Sequence, residues 1–194
     1  MDPHMLSIPP DTAGRSRSPS PARSFKTERL TSRIAIVGAG DVGAAIAFAC
    51  IMHQVAGEVL LVDVKEDFRD AQVLDLGDAS YRGSPSVRAA TYKEAGQCEI
   101  VVVTAGAKQK PGESRLQLLG RNVRILSTVI QGMKPFRRDT ILLLVANPVD
   151  VLTCFAQEIA GLPREQVIGS GTFLDSIRLR GLIAQEARVS GVCV

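Results

Sequence analysis

The sequence predicts an α/β fold, a parallel sheet doubly wound by helices. Three observations carry that prediction. Short aliphatic runs alternate with helix-length stretches from Arg33 onward, the pattern of strands joined by right-handed crossovers. Apolar residues make up 45% of the 194 residues while aromatics make up 4%, with no Trp. The core must therefore be aliphatic, as in a sheet of Val, Ile and Leu covered on both faces. Finally, a glycine-rich turn joins the first aliphatic run to the first helical stretch.

Taken in order, the strand-like runs are Ile34–Val37, Val59–Val62, Val87–Ala90, Ile100–Val103, Ile141–Val145 and Val167–Ile168. Helices are expected over 42–54, 66–79, 113–134 and 149–160, with a last one from Phe173 to about Arg188. That gives a sheet of about six strands. Residues 1–32 hold five of the ten prolines, many serines and little periodic hydrophobicity, the composition of a disordered tail. The prolines oppose the amphipathic helix that an import leader needs, so an inert tail is expected in spite of its arginines and Ser-Pro pairs. The domain reading is a tail over 1–32, a nucleotide-binding domain over 33–172, and the start of a second domain over 173–194.

Charge and cysteines exclude several classes. The net charge of +3 resides in residues 1–33, which carry six Lys or Arg against three acids; the rest balances. A neutral body argues against nucleic acid as a partner, since phosphate binding needs a concentrated basic face. Cys50, Cys98, Cys154 and Cys193 lack metal-ligand spacing and read as buried free thiols of a reducing compartment, the cytoplasm. No apolar run approaches the ~18–20 residues that span a bilayer. No metal site and no membrane partner are expected.

The first strand runs into Gly38-Ala39-Gly40-Asp41-Val42-Gly43 and then an apolar helix. Gly38 allows the tight turn, Gly40 the approach of a pyrophosphate, and Gly43 the packing of the helix on the sheet. The free N–H groups of the helix start would face the phosphates. The second strand ends in Leu61-Val62-Asp63, with Asp63 twenty residues after Gly43. A carboxylate there accepts from the ribose hydroxyls and repels a 2′-phosphate, favouring NAD over NADP. Alone, a glycine turn or a solvated Asp means little; strand, turn, helix and acid together point to a dinucleotide, and on these motifs a flavin stays open.

Further strand ends carry Thr104-Ala105-Gly106-Ala107-Lys108-Gln109, Pro111-Gly112-Glu113-Ser114-Arg115, Ala146-Asn147-Pro148 and Gly169-Ser170-Gly171-Thr172-Phe173-Leu174-Asp175-Ser176-Ile177-Arg178. In a parallel sheet these ends share the ligand-binding edge. With these motifs in this order, the chain from Arg33 to Val194 resembles the L-lactate/malate dehydrogenase family, on its lactate side. The resemblance implies a Rossmann domain followed by a substrate domain, a cytoplasmic homo-oligomer, and hydride transfer between NAD and a 2-hydroxy acid, the lactate/pyruvate pair of glycolysis.

It also implies site residues. Gln109 matches the position that discriminates substrates, where malate dehydrogenases have Arg; a neutral amide leaves a second carboxylate unpaired in a desolvated site. Arg115 matches the loop arginine that polarises the substrate carbonyl. Arg178 matches the arginine clamping the substrate carboxylate, and Asp175 the carboxylate that orients a catalytic histidine. Asn147 matches a contact to nicotinamide and substrate; Val42, Gly106, Ala107 and Ser170 match cofactor contacts. Phe68 departs from the pattern, since many relatives carry a basic residue near the adenosine. Singly, Arg115 reads equally as a solvated helix arginine, and Asp175 with Arg178 as a surface ion pair three residues apart.

The proton donor of the family is a His in a Gly-Glu-His-Gly-Asp motif beyond the last helix. His4 and His53, the two histidines, do not match it; His53 reads as an exposed helix-end residue. The expectation is an L-lactate dehydrogenase-like oxidoreductase whose 194 residues lack this histidine and do not turn over by themselves. Malate dehydrogenase, and a non-catalytic NAD-binding or interaction module, are the alternatives.

Overall fold

The computed structural model describes residues 32–80 and 85–193. Six strands, β1 (Arg33–Val37), β2 (Glu58–Val62), β3 (Ser86–Ala89), β4 (Ile100–Val103), β5 (Ile141–Leu144) and β6 (Val167–Gly169), form one sheet in the order β3-β2-β1-β4-β5-β6. Every pairing is parallel, with Ile34 opposite both Val59 and Ile100, and Leu144 opposite both Val103 and Gly169. The helices are α1 (Asp41–Met52), α2 (Glu66–Ala79), α3 (Tyr92–Ala95), α4 (Arg115–Met133), α5 (Val149–Ala160) and α6 (Phe173–Ala187). The chain moves outward from β1 to β3, then crosses back to β4 beside β1. This reversal opens a crevice at the carboxyl ends of β1 and β4.

Alternation along each strand feeds two cores. Ala35, Val37, Leu60, Val62, Val101, Val103, Leu142 and Leu144 face one side, where Leu126, Val129, Ile130 and Met133 of α4 and Leu152 and Ala156 of α5 cover them. Ile34, Ile36, Val59, Leu61 and Val102 face the other, beneath Ala47 and Ile51 of α1 and Leu76 of α2. Successive strand residues point to opposite faces, so both faces need apolar side chains and the strands read as unbroken aliphatic runs. Side chains such as Ile36, Leu60 and Leu142 are fully buried; each contributes about 1.5–3 kcal/mol relative to exposure.

The expected elements are present with small shifts at their ends. α1 closes two residues early because His53, exposed as expected, is its C-cap and Gln54 turns to φ +51°. β5 stops at Leu144, and β3 is displaced one residue to Ser86–Ala89. The short α3 was not foreseen: at four residues it has no readable period, and its start is fixed by a capping box between Thr91 and Glu94. A second capping box, between Ser114 and Gln117, opens α4 two residues later than expected. The short 3₁₀ turns at Arg164–Gln166 and Gly191–Cys193 were likewise unforeseen. The tail expected over 1–32 lies outside the described residues up to residue 31. Ser32 is already tied in, its carbonyl accepting from the N–H groups of Gly57 and Glu58 at 2.8 and 3.3 Å.

The expectation of buried thiols needs correction. Cys98 is buried, and burial raises its thiol to about 11; Cys50 is half-buried and also raised by burial; Cys154 is exposed on α5. Cys154 lies on the outer face of an amphipathic helix, which its apolar flanks in the sequence concealed. All three are free thiols.

Candidate dinucleotide site

A cleft of about 990 Å³ lies over the carboxyl ends of β1, β2, β4 and β5. Its floor is the glycine turn. Gly38 has φ +105°, and a Cβ there would sit 2.7 Å from both the Ala105 nitrogen and the Thr104 hydroxyl. A Cβ on Gly43 would meet the Gly38 carbonyl oxygen at 1.9 Å, so any side chain would push α1 off the turn. Gly40 is different: a Cβ there meets nothing within 4 Å. The protein needs no glycine at Gly40 for its own packing, and the open space borders the cleft, as expected for a backbone that a ligand approaches. The fit to a dinucleotide phosphate is therefore good.

Three strand ends are stitched beneath this floor. The Gly38 N–H donates to the Val62 carbonyl at 2.8 Å, and the Thr104 N–H donates to the Val37 carbonyl at 2.9 Å. The Thr104 hydroxyl donates to the Gly38 carbonyl at 2.8 Å. Asp63 enters from β2. Its Oδ2 accepts from the Ala39 N–H at 2.8 Å and its Oδ1 from the Lys65 N–H at 2.9 Å. Each oxygen keeps a lone pair directed elsewhere, so the carboxylate is oriented without being used up. Tyr92 lines the cleft nearby, and its hydroxyl is raised by burial and by the Asp63 charge.

Gly38, Gly40, Val42, Gly43, Asp63, Gly106, Ala107, Gln109 and Asn147 all line this one cleft. Gln109 is on its exposed lip, its side-chain amide donating to the Glu113 carbonyl at 2.7 Å. Phe68 also lines the cleft, 43% exposed. The structure does not bring four expected residues to the cleft. Arg115 is exposed at the first turn of α4. Ser170, beyond β6, donates its N–H to the Leu144 carbonyl at 2.9 Å and is exposed. Asp175 and Arg178 form a surface ion pair at 3.8 Å on α6, with side chains 72% and 67% exposed.

Two cleft residues were missed. Asn122 lies on α4, 4% exposed and hydrogen-bonded to both neighbouring loops. In the sequence it is one polar residue in a long helix, without a motif around it. Lys108 reaches Asp41 across the cleft mouth, Nζ to Oδ2 at 3.3 Å, and its pairing joins residues too far apart in sequence to be read together. Among the described residues, no group of three His, Cys, Asp or Glu is placed to hold a metal ion, and no helix is long and apolar enough to cross a membrane.

A parallel sheet in this order, with a glycine turn opening α1 and an acid ending β2, defines a dinucleotide-binding domain of the Rossmann type. Residues 32–169 match the sequence model of the lactate/malate dehydrogenase NAD-binding domain. The chain belongs to the lactate/malate dehydrogenase family, and the dinucleotide is NAD. It is 53% identical over 151 residues to L-lactate dehydrogenase A of Rhizopus oryzae, covering 78% of this chain and 47% of that protein. It is 41% identical over 169 residues to an L-lactate dehydrogenase of Staphylococcus epidermidis, covering 86% and 54%. Among solved structures, it superposes on the minor L-lactate dehydrogenase of Enterococcus mundtii with a TM-score of 0.79 at 37% identity, covering 83% of this chain and 52% of that one. The chain thus spans about half the length of the relatives it matches.

Proposed function

We propose that this chain is the cofactor-binding half of an L-lactate dehydrogenase, serving hydride transfer between NAD and the lactate/pyruvate pair. The observation that carries the reading is Gln109 on the lip of a NAD cleft. A neutral amide there accommodates a methyl group and leaves the second carboxylate of malate or oxaloacetate without a cation. Burying an unpaired carboxylate is far more costly than losing one hydrogen bond. Identity of 40–53% to several L-lactate dehydrogenases supports the same choice over malate dehydrogenase.

Roles are proposed residue by residue. Gly38, Gly40 and Gly43 shape the pyrophosphate cradle, with Val42 beside it. Asp63 accepts from the adenosine ribose. Gly106, Ala107 and Asn147 line the path to the nicotinamide, and Ser170 adds a contact from β6. Bound NAD supplies the hydride acceptor. Arg115 polarises the substrate oxygen, Arg178 clamps its carboxylate, and Asp175 orients a histidine. Because Arg115 opens α4 directly behind the 104–114 loop, a movement of that loop carries its guanidinium with it. The domain reading is a NAD-binding unit over 33–172, with 173–194 beginning a substrate domain; a cytoplasmic homo-oligomer follows by family.

A second reading, a NAD-binding module without catalysis, draws on the exposed Asp175–Arg178 pair. Both readings require NAD binding. A version extended through a histidine motif separates them: NADH oxidation with pyruvate as substrate supports the dehydrogenase, and binding without turnover supports the module.

A further inference from the structure

Asn122 is the most deeply buried polar side chain in the wall of the cleft. Its Oδ1 accepts from the Ala107 N–H at 2.8 Å, and its Nδ2 donates to the Asn147 carbonyl at 2.8 Å. A backbone N–H can only donate and a carbonyl can only accept, so the two partners fix the amide orientation. One side chain on α4 therefore ties the loop after β4 to the loop after β5. Gly106 lies directly over it: a Cβ there would be 3.7 Å from both amide atoms.

The direction in which a dinucleotide lies follows from the sheet order. Asp63 ends β2 on one side of the β1/β4 crevice, and Ala107 and Asn147 follow β4 and β5 on the other. A ligand with its ribose on Asp63 extends its nicotinamide over β4 and β5. We propose that Asn122 is a positioning residue for the nicotinamide end of the site. It sets the spacing of the Gly106–Ala107 and Asn147 backbones and leaves the adenosine end alone. The inference rests on the NAD reading given above.

Few side chains can replace it. Asp keeps the acceptor for Ala107 but turns a carboxylate oxygen toward the Asn147 carbonyl, which repels it. Leu matches the volume and leaves both backbone groups unpartnered in a buried place. Neither change touches Asp63 or the glycine turn.

The test compares NADH with ADP-ribose, which lacks the nicotinamide, by calorimetric titration of the full 194-residue chain. Melting curves of each protein show that it is folded. Asn122→Asp and Asn122→Leu should weaken NADH at least tenfold and change ADP-ribose less than twofold. Equal losses for the two ligands, or no loss for NADH, overturn the proposal while leaving the NAD reading standing. A parent chain that binds neither compound removes both. Should both variants fail to fold, amide hydrogen exchange of the parent chain decides. Ala107 should be protected in the free protein, and exchange at the rate of an open loop overturns the stitch.

Discussion

The backbone N–H of Ala39 donates to Oδ2 of Asp63 over 2.8 Å, so the acid at the end of β2 also holds the middle of the glycine turn. Under the role proposed for Asp63, shape and selectivity are coupled through one carboxylate. Asp63→Ser should shrink the preference for NAD over NADP, because the charge that repels a 2′-phosphate is gone. It should also lower the melting temperature, since a charge-assisted hydrogen bond contributes about 1.5–3 kcal/mol. Paired titrations with NADH and NADPH check the first effect and a thermal melt the second. Equal affinities for both cofactors in the parent chain would remove the role given to Asp63.

Asp41 brings a negative charge to the start of α1, where the cofactor phosphates are expected, and Lys108 answers it from the opposite lip at 3.3 Å. Both side chains are almost fully exposed, and an exposed pair contributes only about 0–1 kcal/mol. Lys108 is thus free to exchange partners when phosphate enters. Asp41→Asn should tighten NADH binding about two- to fivefold at low salt, and Lys108→Met should weaken it. Screening should erase most of both effects near 0.5 M salt. A salt series of fluorescence titrations measures this, and a weaker Asp41→Asn variant would contradict it.

The strands of the parallel sheet and the glycine cradle were legible because they rest on local patterns: aliphatic runs, a turn that demands Gly38, and an acid at a fixed offset. The positions of Arg115, Asp175 and Arg178 were legible only as motif matches. Their side chains point to solvent, since nothing within the described residues packs against their outer faces. On α6, Phe173 and Leu182 are 72% and 64% exposed, and an apolar stripe of this kind marks a surface meant to be covered. Asn122 was illegible for another reason. Its partners are backbone groups, 15 and 25 residues away, and a backbone group has no residue type to read.

Specificity at Gln109 is tested in a version extended through a histidine motif. Gln109→Arg should shift the ratio of specificity constants from pyruvate toward oxaloacetate, since a guanidinium pairs the second carboxylate and leaves the pyruvate methyl facing a charge. The direction is the prediction. Initial rates with both keto acids measure it, and an unmoved ratio would place substrate discrimination elsewhere.

Glu94 caps α3, accepting from Thr91, and pairs with Arg88, which also holds Glu58. The Thr91 backbone N–H, then Arg88 and the Thr91 hydroxyl, hold its carboxyl down at about 2. A depressed folded value contributes stability above the ordinary value near 4.5, and this is lost as the pH falls from there to about 2. The Glu94 side chain is 42% exposed, so the effect should be modest. Glu94→Gln should melt below the parent at neutral pH, and the gap should close between pH 4.5 and 2. A gap independent of pH would mean that the cap acts without its charge.

The polypeptide of residues 1–194 should bind NADH and show no lactate dehydrogenase turnover. Gly38, Gly40, Gly43 and Asp63 are assembled in one cleft on the sheet, so the cofactor half is in place. Among the described residues, no histidine lines that cleft. His53 caps α1, is exposed and does not line the cleft, and neither His53 nor His4 stands in the family's histidine motif. General acid–base help contributes about 10²–10⁴ in rate. The loss should exceed this, because Asp175 and Arg178 face water on α6. In a solvated place a guanidinium holds a carboxylate weakly, since bulk water screens the pair. Arg115, exposed at the start of α4, meets the same screening. The test is absorbance of NADH in the presence of pyruvate, beside a calorimetric titration with NADH. Binding with no measurable oxidation is expected; turnover at ~1–10³ s⁻¹, the usual range of enzymes, would show that these residues find a proton donor and a dry pocket within the chain itself.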